Sequence, residues 1–465
     1  MPTPTEPPVT PQPGSPAAGA TPATPTPPSE ARRSWGPFDA IRGLRPDGKL
    51  PQVTPIRRIL TDLPVSADPY ADALAALAPL RDRIRPGARI AVTAGSRGIR
   101  DLVPVVKAAV DWLREAGADP FVTPAMGSHG GATADGQREM LAGLGITAET
   151  VGCPIEATME TVVVGTLADG TEVHHDAIAA KADGVLLVNR IKPHTDFRGP
   201  IESGIAKVLA IGLGNHRGAA SLHAGGIPSL GRNIEAAARM IVAQGKILGG
   251  LAILENAEDR TAAVELLEAT GIAEAPENAL LQRASSLLGR LPFDSLDVLV
   301  VDELGKDKSG AGMDTNVIGR CWVHGIPEFE SPDIAAISVH SLSPASHGNA
   351  SGLGLADVIP ARLLEQIDLK ASYVNALTSG AGGARRSRLP MVMEDDEAAV
   401  LAAVTMCGRR HWSELRLARI KDTLSPNELM VTPALLTEAA ERFDLEITGT
   451  ARDLAPGGRL GPWSD

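Results

Sequence analysis

The stretch that decides the fold is Asp183-Gly-Val-Leu-Leu-Val-Asn-Arg-Ile-Lys-Pro-His194. Its apolar run, residues 185–188, is short, half β-branched and followed by polar and turn residues, so it predicts a buried strand. Arg190, Lys192 and His194 stand at the carboxyl end of that strand, where open α/β sheets bind their ligands. The stretch therefore predicts an α/β fold with its chemistry at this strand end.

Basic side chains continue beyond this stretch. Residues 183–223 contain three histidines, three arginines and two lysines, among them Arg198, Lys207 and His223. Such a concentration requires an anionic or metallic ligand, or else a structural role for each side chain. Lys207 lies among apolar neighbours on a predicted helix over residues 204–211, where a lysine either snorkels or is held for covalent or cofactor chemistry.

A glycine-rich loop follows an earlier predicted strand, Arg89–Ala94. The loop contains Ser96, Arg97 and Gly98, and a helix is predicted over residues 102–116. Backbone N–H groups in such a loop, together with a helix N-terminus, bind anions. A tight turn with exposed arginines is the alternative interpretation.

The next predicted strand, Asp119–Pro124, leads to His129. Glycines on both sides of His129 allow a ligand to approach the backbone closely. Thr133 is a suitable N-cap for a helix over residues 135–144. The pattern therefore predicts a second imidazole at a neighbouring strand end, with an ordinary surface histidine as the alternative.

The remaining histidines fit structural roles better. His174 and His175 follow a predicted hairpin over residues 161–173, and adjacent strand residues point to opposite faces. They would chelate a metal poorly, so a solvated strand end is the favoured interpretation. Four others have no partner pattern and are interpreted as structural: His324, His340, His347 and His411.

Composition limits the function classes. The chain has 465 residues and a formal net charge of -12, with 3% aromatic residues, which argues against a general nucleic-acid binder. Its three cysteines are widely spaced without a CxxC pair, so neither a disulfide framework nor a thiolate zinc site is expected, and a reducing cytoplasm is the expected compartment. No apolar run reaches the roughly 18–20 residues of a membrane span.

Length and low-complexity composition predict the domain organisation. Residues 1–50 begin with a Pro/Thr/Ala-rich tail that lacks the features of a signal peptide and is expected to be disordered. The rest is too long for one core and is divided into a first domain over residues 51–290 and a second over 291–465. Two α/β domains with the active site in the cleft between them are expected, in an undetermined oligomeric state.

The chemistry of the cluster follows from its charges. Lys192 and Arg198 flank His194, and nearby cations lower the pKa of an imidazole, which favours the neutral form that a general base needs. His129 could face the same pocket from the neighbouring strand end. His223 alone makes no metal site. The residues thus predict an anion-binding pocket with two histidine bases, without naming the reaction.

At these residues the chain resembles the nickel-pincer-dependent lactate racemase family, over approximately residues 89–320. Ser96 and Arg97 stand in its cofactor and substrate loop, and His129 and His194 match its two catalytic histidines. Lys207 matches the lysine that carries the cofactor and His223 the nickel ligand, and 223 − 207 = 16 is the family interval.

The resemblance implies a cofactor and a reaction. The cofactor is a nickel-pincer nucleotide, pyridinium-3,5-bisthiocarboxylic acid mononucleotide nickel, held by the first domain while the second closes over the substrate. The implied activity is that of an isomerase, a 2-hydroxy acid racemase or 2-epimerase that uses reversible hydride transfer and two histidine acid/bases. Basic side chains near the cluster and in the second domain are candidate substrate contacts: Arg190, Lys192, Arg198, Lys306 and Lys308.

The chain also departs from the family pattern. Ala94 replaces the loop aspartate, and the segment between His194 and Lys207 is longer than usual. The Tyr-Gln-x-x-Lys pattern of the lactate enzymes is not recognisable in the second domain. These departures favour a larger or more polar 2-hydroxy acid, such as a sugar acid, over lactate.

Two other functions stay open. A nicotinamide-dependent oxidoreductase would use the turn Gly212-Leu213-Gly214, although that turn follows a helix-like segment where the dinucleotide fingerprint follows a strand. A non-catalytic protein that binds a phosphorylated ligand would use the loops around Arg97 and Arg217. That function predicts that His129 and His194 can be replaced without consequence.

Overall fold

The computed structural model describes residues 49–463, except residues 97 and 379. The predicted disordered tail, up to residue 48, and Arg97 lie outside the described residues. The strands in chain order are β1 (Thr54–Arg58), β2 (Arg89–Ala94), β3 (Asp119–Pro124), β4 (Thr161–Thr166), β5 (Glu172–Asp176), β6 (Gly184–Arg190), β7 (Ile247–Glu255), β8 (Thr261–Glu268), β9 (Ser295–Leu304), β10 (Asp333–Leu342), β11 (Val358–Pro360), β12 (Met391–Met393), β13 (Leu417–Ile420), β14 (Glu428–Val431) and β15 (Leu445–Ile447).

Helices connect and cover these strands. They are α1 (Pro69–Leu77), α2 (Leu102–Glu115), α3 (Ala134–Gly143), α4 (Ala148–Val151), α5 (Ile205–Lys207), α6 (Asn215–His223), α7 (Ile227–Val242), α8 (Ala275–Leu287), α9 (Thr315–Ile318), α10 (Ala361–Leu364), α11 (Leu369–Thr378), α12 (Gly380–Arg386), α13 (Asp396–Met406) and α14 (Pro433–Arg442). The mixture of parallel sheets and helices confirms the predicted α/β class. Within the described part of the chain, no helix is both long and apolar enough to cross a membrane.

The first sheet has the strand order β3-β2-β6-β7-β8. Strands β3, β2, β6 and β7 are parallel, and β8 is antiparallel to β7. The chain leaves β2 for β3 on one side and returns to β6 on the other, so the strand order reverses between β2 and β6. Ligands bind at such a reversal, outside the carboxyl ends of the strands.

The predicted central strand is confirmed in β6, whose residues 185–188 are fully buried. Val185 and Leu187 join the core on one face of the sheet, and Leu186 and Val188 join the core on the other. Both faces of a parallel strand are covered by helices, so polar and apolar residues do not alternate along it, and its sequence is a continuous apolar run.

The second sheet has the order β12-β11-β10-β9-β13-β14-β1-β15. Strand β9 lies between β10 and β13 and is parallel to both, so the strand order reverses here as well. Strand β1 pairs with β14 and β15, which places a strand from the predicted first domain in the sheet of the second. The domain boundary at residues 290 and 291 stays a prediction.

Two local predictions needed correction. The helix predicted over residues 204–211 is a short turn, α5, that continues as a π-helical turn over Val208–Gly212. Such a widened turn is frequent at functional sites. Strand β9 runs to Leu304, beyond the predicted end at residue 301, because residues 303 and 304 still pair with β10.

Candidate active site

The loops after β2, β3 and β6 meet at the first reversal of strand order. His129 Nδ1 lies 2.5 Å from Ser96 Oγ, which joins the loop after β3 to the loop after β2. Asn189, at the end of β6, donates to the carbonyl of Gly204 over 3.0 Å and so holds the start of α5. The structure therefore brings three strand ends together around one site, with His129 exposed at its rim.

The His129 loop also packs against the lysine segment. Gly127 N–H donates to the carbonyl of Gly212 over 3.0 Å, and Gln137 donates to the carbonyl of Gly127 over 2.9 Å. A Cβ on Gly212 would lie 2.6 Å from the carbonyl oxygen of Ala125, so only glycine allows this approach. The second histidine loop is thus positioned by the segment that carries the lysine.

His194 contacts the predicted cofactor lysine directly. Its Nε2 lies 2.8 Å from Lys207 Nζ, and its Nδ1 accepts a hydrogen bond from Asp196 N–H over 3.0 Å. The ring stacks on Phe197 with 4.4 Å between centroids. Burial, together with the neighbouring cations, above all Lys207, holds the pKa of His194 well below 6.5. The ring is therefore neutral, as the sequence predicted.

Lys207 ends helix α5, which a buried carboxylate holds in place. Glu277 accepts the N–H of Ala206 over 2.9 Å and that of Ala273 over 2.8 Å, and burial raises its pKa. A Cβ at Gly204 would lie 2.7 Å from the same carboxylate. Lys207 itself is half-buried, so small reagents can reach it. Its hydrogen bond to His194 shows that it does not simply extend into solvent.

His223 lies at the end of α6 and is exposed. Its Nδ1 donates to the carbonyl of Ala219 over 2.6 Å, which fixes the proton on Nδ1 and leaves the Nε2 lone pair for a ligand. Over the described residues, no three His, Cys, Asp or Glu side chains are arranged to hold a metal ion. A nickel ion here would need ligands from a bound group besides His223.

The predicted substrate contacts are engaged within the protein. Arg190 pairs with Glu255, and Lys192 Nζ lies 3.2 Å from Asp314. Arg198 donates to the His194 carbonyl and to Asn316, and Lys306 donates to the Gly310 carbonyl over 2.5 Å. Lys308 lies 3.2–3.3 Å from Glu303, Asp307 and Asp422, whose charges outweigh burial and raise its pKa. A substrate role for these five residues stays a prediction, as does a cofactor-binding role for Ser96 and Gly98.

Sequence reasoning missed the polar network beneath His194. Asp196 accepts from Arg386 over 2.6 Å, and Arg386 also donates to the carbonyl of Cys321 over 2.7 Å. Glu202 accepts the N–H of His194 over 2.6 Å. Asp196 could have been noticed because it lies two residues after His194. Arg386 lies 190 positions from Asp196 in the sequence and gives no local signal.

His340 was predicted to be structural, and its surroundings agree. Its Nδ1 lies 3.1 Å from Asp396 and its Nε2 lies 2.8 Å from Ser338 Oγ, an arrangement like that of a serine hydrolase. Both Ser338 and His340 are fully buried, so a substrate cannot reach the hydroxyl.

The solvated strand end expected for His174 and His175 is wrong. Both are buried, because α6 packs over β5 with Gly218 against the His174 Cβ. Burial lowers the pKa of His175 to about 4, and its Nδ1 has no hydrogen-bond partner within the described protein. The two rings serve packing, and no metal-binding group of side chains in the described ranges includes them.

The turn considered for a nicotinamide also has a packing role. Gly212 ends the π-helical turn and Gly214 precedes α6, so neither follows a strand. A Cβ on Gly214 would lie 2.9 Å from the carbonyl oxygen of Ala210. The dinucleotide-binding context of strand, glycine turn and helix is missing at this turn.

Comparison with known proteins adds little to this geometry. No family model and no curated protein sequence matches the chain. The lactate racemase apoprotein from Thermoanaerobacterium thermosaccharolyticum is similar in structure, with a TM-score of 0.46 and 12% sequence identity. The match covers 80% of this chain and 88% of that chain. At this level of similarity it assigns no role to any residue.

Proposed function

We propose that the protein is a racemase or 2-epimerase of a 2-hydroxy acid that works with a nickel-pincer nucleotide attached to Lys207. The observation that carries the proposal is the 2.8 Å contact between His194 Nε2 and Lys207 Nζ. The sequence resemblance assigned these two side chains to one site as a base and a cofactor carrier. Their contact at a reversal of strand order supports that assignment.

The residues present fit the proposed group. Lys207 is a half-buried amine at the strand ends, and His223 leaves the Nε2 lone pair for nickel. Ser96 and Gly98 follow β2, and a Cβ on Gly98 would meet no atom within 4 Å, so a ligand can approach the loop at Gly98. When bound, the nickel-pincer group supplies an acceptor for the hydride from C2 of the substrate.

The two histidines would handle the hydroxyl proton. Racemisation needs proton transfer to and from the substrate oxygen on both faces, and neutral imidazoles can accept a proton near pH 7. His194 is kept neutral by burial and by Lys207. His129, held by Ser96, occupies the neighbouring strand end. Two imidazoles on separate loops can exchange protons with opposite faces of the planar 2-keto acid.

The local charges favour an acid as substrate. Lys207, Arg386 and Lys192 all act on His194 as positive charges, in a chain whose net charge is -12. Positive charge beside His194 would attract the carboxylate of a substrate, although Lys192 and Arg386 are also paired with Asp314 and Asp196. The departures from the lactate pattern in the second domain favour a larger, more polar acid such as a sugar acid.

The test begins with the protein expressed in a host that makes the pincer cofactor. We expect intact mass and metal analysis to show a nickel-containing adduct on the wild type. The adduct should be absent from Lys207→Ala and present in Lys370→Ala, a matched control at an exposed lysine. An unmodified wild type, in a host that loads a known family member, would refute the proposal.

The reaction is tested on the loaded protein. Chiral chromatography should show interconversion of the enantiomers or 2-epimers of a 2-hydroxy acid. We expect His129→Ala and His194→Ala to lose at least roughly a hundredfold in rate, the usual scale for an acid/base group. Turnover of lactate without turnover of any sugar acid would overturn the proposed substrate class. Unchanged rates in both histidine variants would refute their role.

A further inference from the structure

Residues 314–316, at the start of α9, contact the loop that carries His194. Their side chains are at most 5% exposed, and buried polar groups of this kind need partners. Each of them engages one residue of the loop, and these partners are spaced three residues apart: Asp314 with Lys192, Thr315 with Thr195, and Asn316 with Arg198. The loop and the start of α9 therefore depend on each other for their polar contacts.

Thr315 contacts the peptide unit that holds the His194 ring. The carbonyl of Thr195 accepts a hydrogen bond from Thr315 Oγ1 over 2.7 Å. The N–H of the same peptide unit, which belongs to Asp196, donates to His194 Nδ1 over 3.0 Å. Because a peptide unit is planar and stiff, a partner that fixes its carbonyl also fixes the direction of its N–H. The hydroxyl of Thr315 therefore sets the direction of the donor that holds the imidazole.

Helix α9 is itself fixed at the reversal of strand order in the second sheet. The N–H of Asp314 donates over 2.9 Å to Oγ1 of Thr423, which follows β13. The carboxylate of Asp314 caps the helix by accepting the N–H of Asn316 over 2.9 Å. His194, which follows β6 of the first sheet, is thus held through a segment that follows β9 of the second.

The carbonyl of Thr195 has a second, more distant donor. Arg386 Nη2 lies 3.3 Å from it, against 2.7 Å for Thr315 Oγ1, and a carbonyl oxygen can accept from both. The closer contacts of Arg386 are the carboxylate of Asp196 at 2.6 Å and the carbonyl of Cys321 at 2.7 Å. Thr315 is therefore the closer donor, and replacing it leaves no buried charge without its partner.

We propose that Thr315 is a positioning residue for His194, because its hydroxyl orients the peptide unit that holds the imidazole where it meets the substrate. This role rests on the proposed function, which assigns His194 to proton transfer. Thr315 is fully buried, so it does not itself touch the substrate. Loss of its hydroxyl should slow proton transfer without weakening substrate binding.

The kinetic test compares Thr315→Val with Thr315→Ser in the nickel-loaded enzyme, on whichever of L-lactate and D-gluconate the wild type interconverts. Valine removes the hydroxyl, whereas serine keeps it. We expect kcat to fall about ten- to a hundredfold in Thr315→Val, with KM changed less than about twofold, since a misplacement of about 1 Å can cost a hundredfold. Thr315→Ser should stay within about threefold of the wild type. An unchanged kcat in Thr315→Val, or an equal loss in Thr315→Ser, would overturn the proposal.

Two further variants separate orientation from general damage. Thr315→Ala removes the same donor without placing a methyl group against the Thr195 carbonyl, and it should show the same loss of kcat. Thr432→Val is the matched control, because Thr432 is 1% exposed and donates to the carbonyl of Leu415 over 2.5 Å. Leu415 precedes β13, so this contact lies at the opposite end of the strands from α9. An equal loss of kcat in Thr432→Val would overturn the proposal.

A second measurement uses the unloaded full-length protein and depends on neither cofactor nor reaction. Spectra of protein labelled with ¹⁵N-aspartate report the backbone N–H of Asp196, whose signal is identified by its absence in Asp196→Asn. Thr315→Val should shift this signal and speed its hydrogen exchange at least about tenfold, while Thr315→Ser and Thr432→Val leave it near the wild-type position.

The two measurements distinguish the ways in which the proposals can fail. A wild type without a nickel adduct, together with a shifted Asp196 signal in Thr315→Val, would refute the proposed function and with it the catalytic role of Thr315, but not the link from Thr315 to the peptide unit. An unshifted signal in Thr315→Val would refute that link whatever reaction the protein catalyses.

Discussion

Arg386 should stabilise the loop that carries His194. It is 9% exposed, donates to Asp196 over 2.6 Å, and also reaches the carbonyls of Cys321 and Thr195 at 2.7 and 3.3 Å. Replacing it with methionine keeps an unbranched apolar stem of similar length but leaves the Asp196 carboxylate without its cation. The expected result is a folded but less stable protein.

The size of the loss follows from the pKa of Asp196. Burial would raise that pKa, but the charge and the hydrogen bond of Arg386 help to hold it at about 2, against 3.8 for a free aspartate. A depressed pKa of this size corresponds to about 2 kcal/mol of stability above pH 5, at about 1.36 kcal/mol per unit. Breaking a buried ion pair costs about 3–5 kcal/mol. Since Asp196 remains 24% exposed, we expect about 3 kcal/mol for Arg386→Met.

The pH dependence gives the sharper test. Wild-type stability should fall by about 1 kcal/mol from pH 5 to pH 3 through Asp196, because the unfolded chain takes up a proton before the folded one does. In Arg386→Met the burial of Asp196 is no longer opposed by Arg386, so its pKa rises. The contribution of Asp196 to this acid-dependent loss should then shrink or change sign.

The assay is urea unfolding followed by fluorescence at several pH values. Arg385→Met is the matched control, because Arg385 is the exposed neighbour on the same helix, and its free energy of unfolding should change by less than about 0.5 kcal/mol. Asp196→Asn alone and combined with Arg386→Met completes a double-mutant cycle. Equal losses for Arg386→Met in the wild-type background and in the Asp196→Asn background would refute the ion-pair reasoning.

Three further predictions use the same assay. Gly212→Ala should lower the free energy of unfolding by about 1–3 kcal/mol, because its Cβ would lie 2.6 Å from the Ala125 carbonyl oxygen. The control Gly143→Ala, whose Cβ meets no atom within 4 Å, should be stabilising or neutral, and similar effects of the two substitutions would argue against the close approach. The pKa of His175 is about 4 in the folded protein against 6.5 in the unfolded chain, so the free energy of unfolding should fall by about 3 kcal/mol from pH 6.5 to pH 4. His175→Leu should remove this pH dependence, and an unchanged dependence would show that the ring is not its source. Thr133→Ala should cost about 1 kcal/mol, because Thr133 Oγ1 caps the N–H of Gly136 at 3.1 Å, while Thr133→Ser should cost less; equal losses would exclude capping.

Much of the first sheet could be predicted from the sequence. The strands Arg89–Ala94 and Asp119–Pro124 were predicted with the limits that the structure has, and the 185–188 run lies inside β6. These strands are short apolar runs between turn residues, which is a local signal. The helix after β2 was also predicted to within one residue, because apolar residues at helical spacing mark its buried face.

Contacts between segments that lie far apart in the sequence could not be predicted from it. Strand β1 crosses to the second sheet, and nothing in its five residues encodes the partners β14 and β15. The π-helical turn after Lys207 depends on Gly212 meeting Ala125, which lies far earlier in the chain. The burial of His174 and His175 likewise depends on α6, which packs over them from outside their own hairpin.

The sequence by itself named the candidate side chains for the chemistry, because reactive groups beside glycines and strand ends are a local pattern. His129 and His194 were named from this pattern, and Lys207 and His223 from the resemblance to the lactate racemase family. Only the tertiary structure decided that Lys207 touches His194 and that Arg386 engages Asp196 beneath them. Distances, burial and protonation depend on neighbours that the folded chain brings together from far apart in sequence, so these properties have no local signal to read.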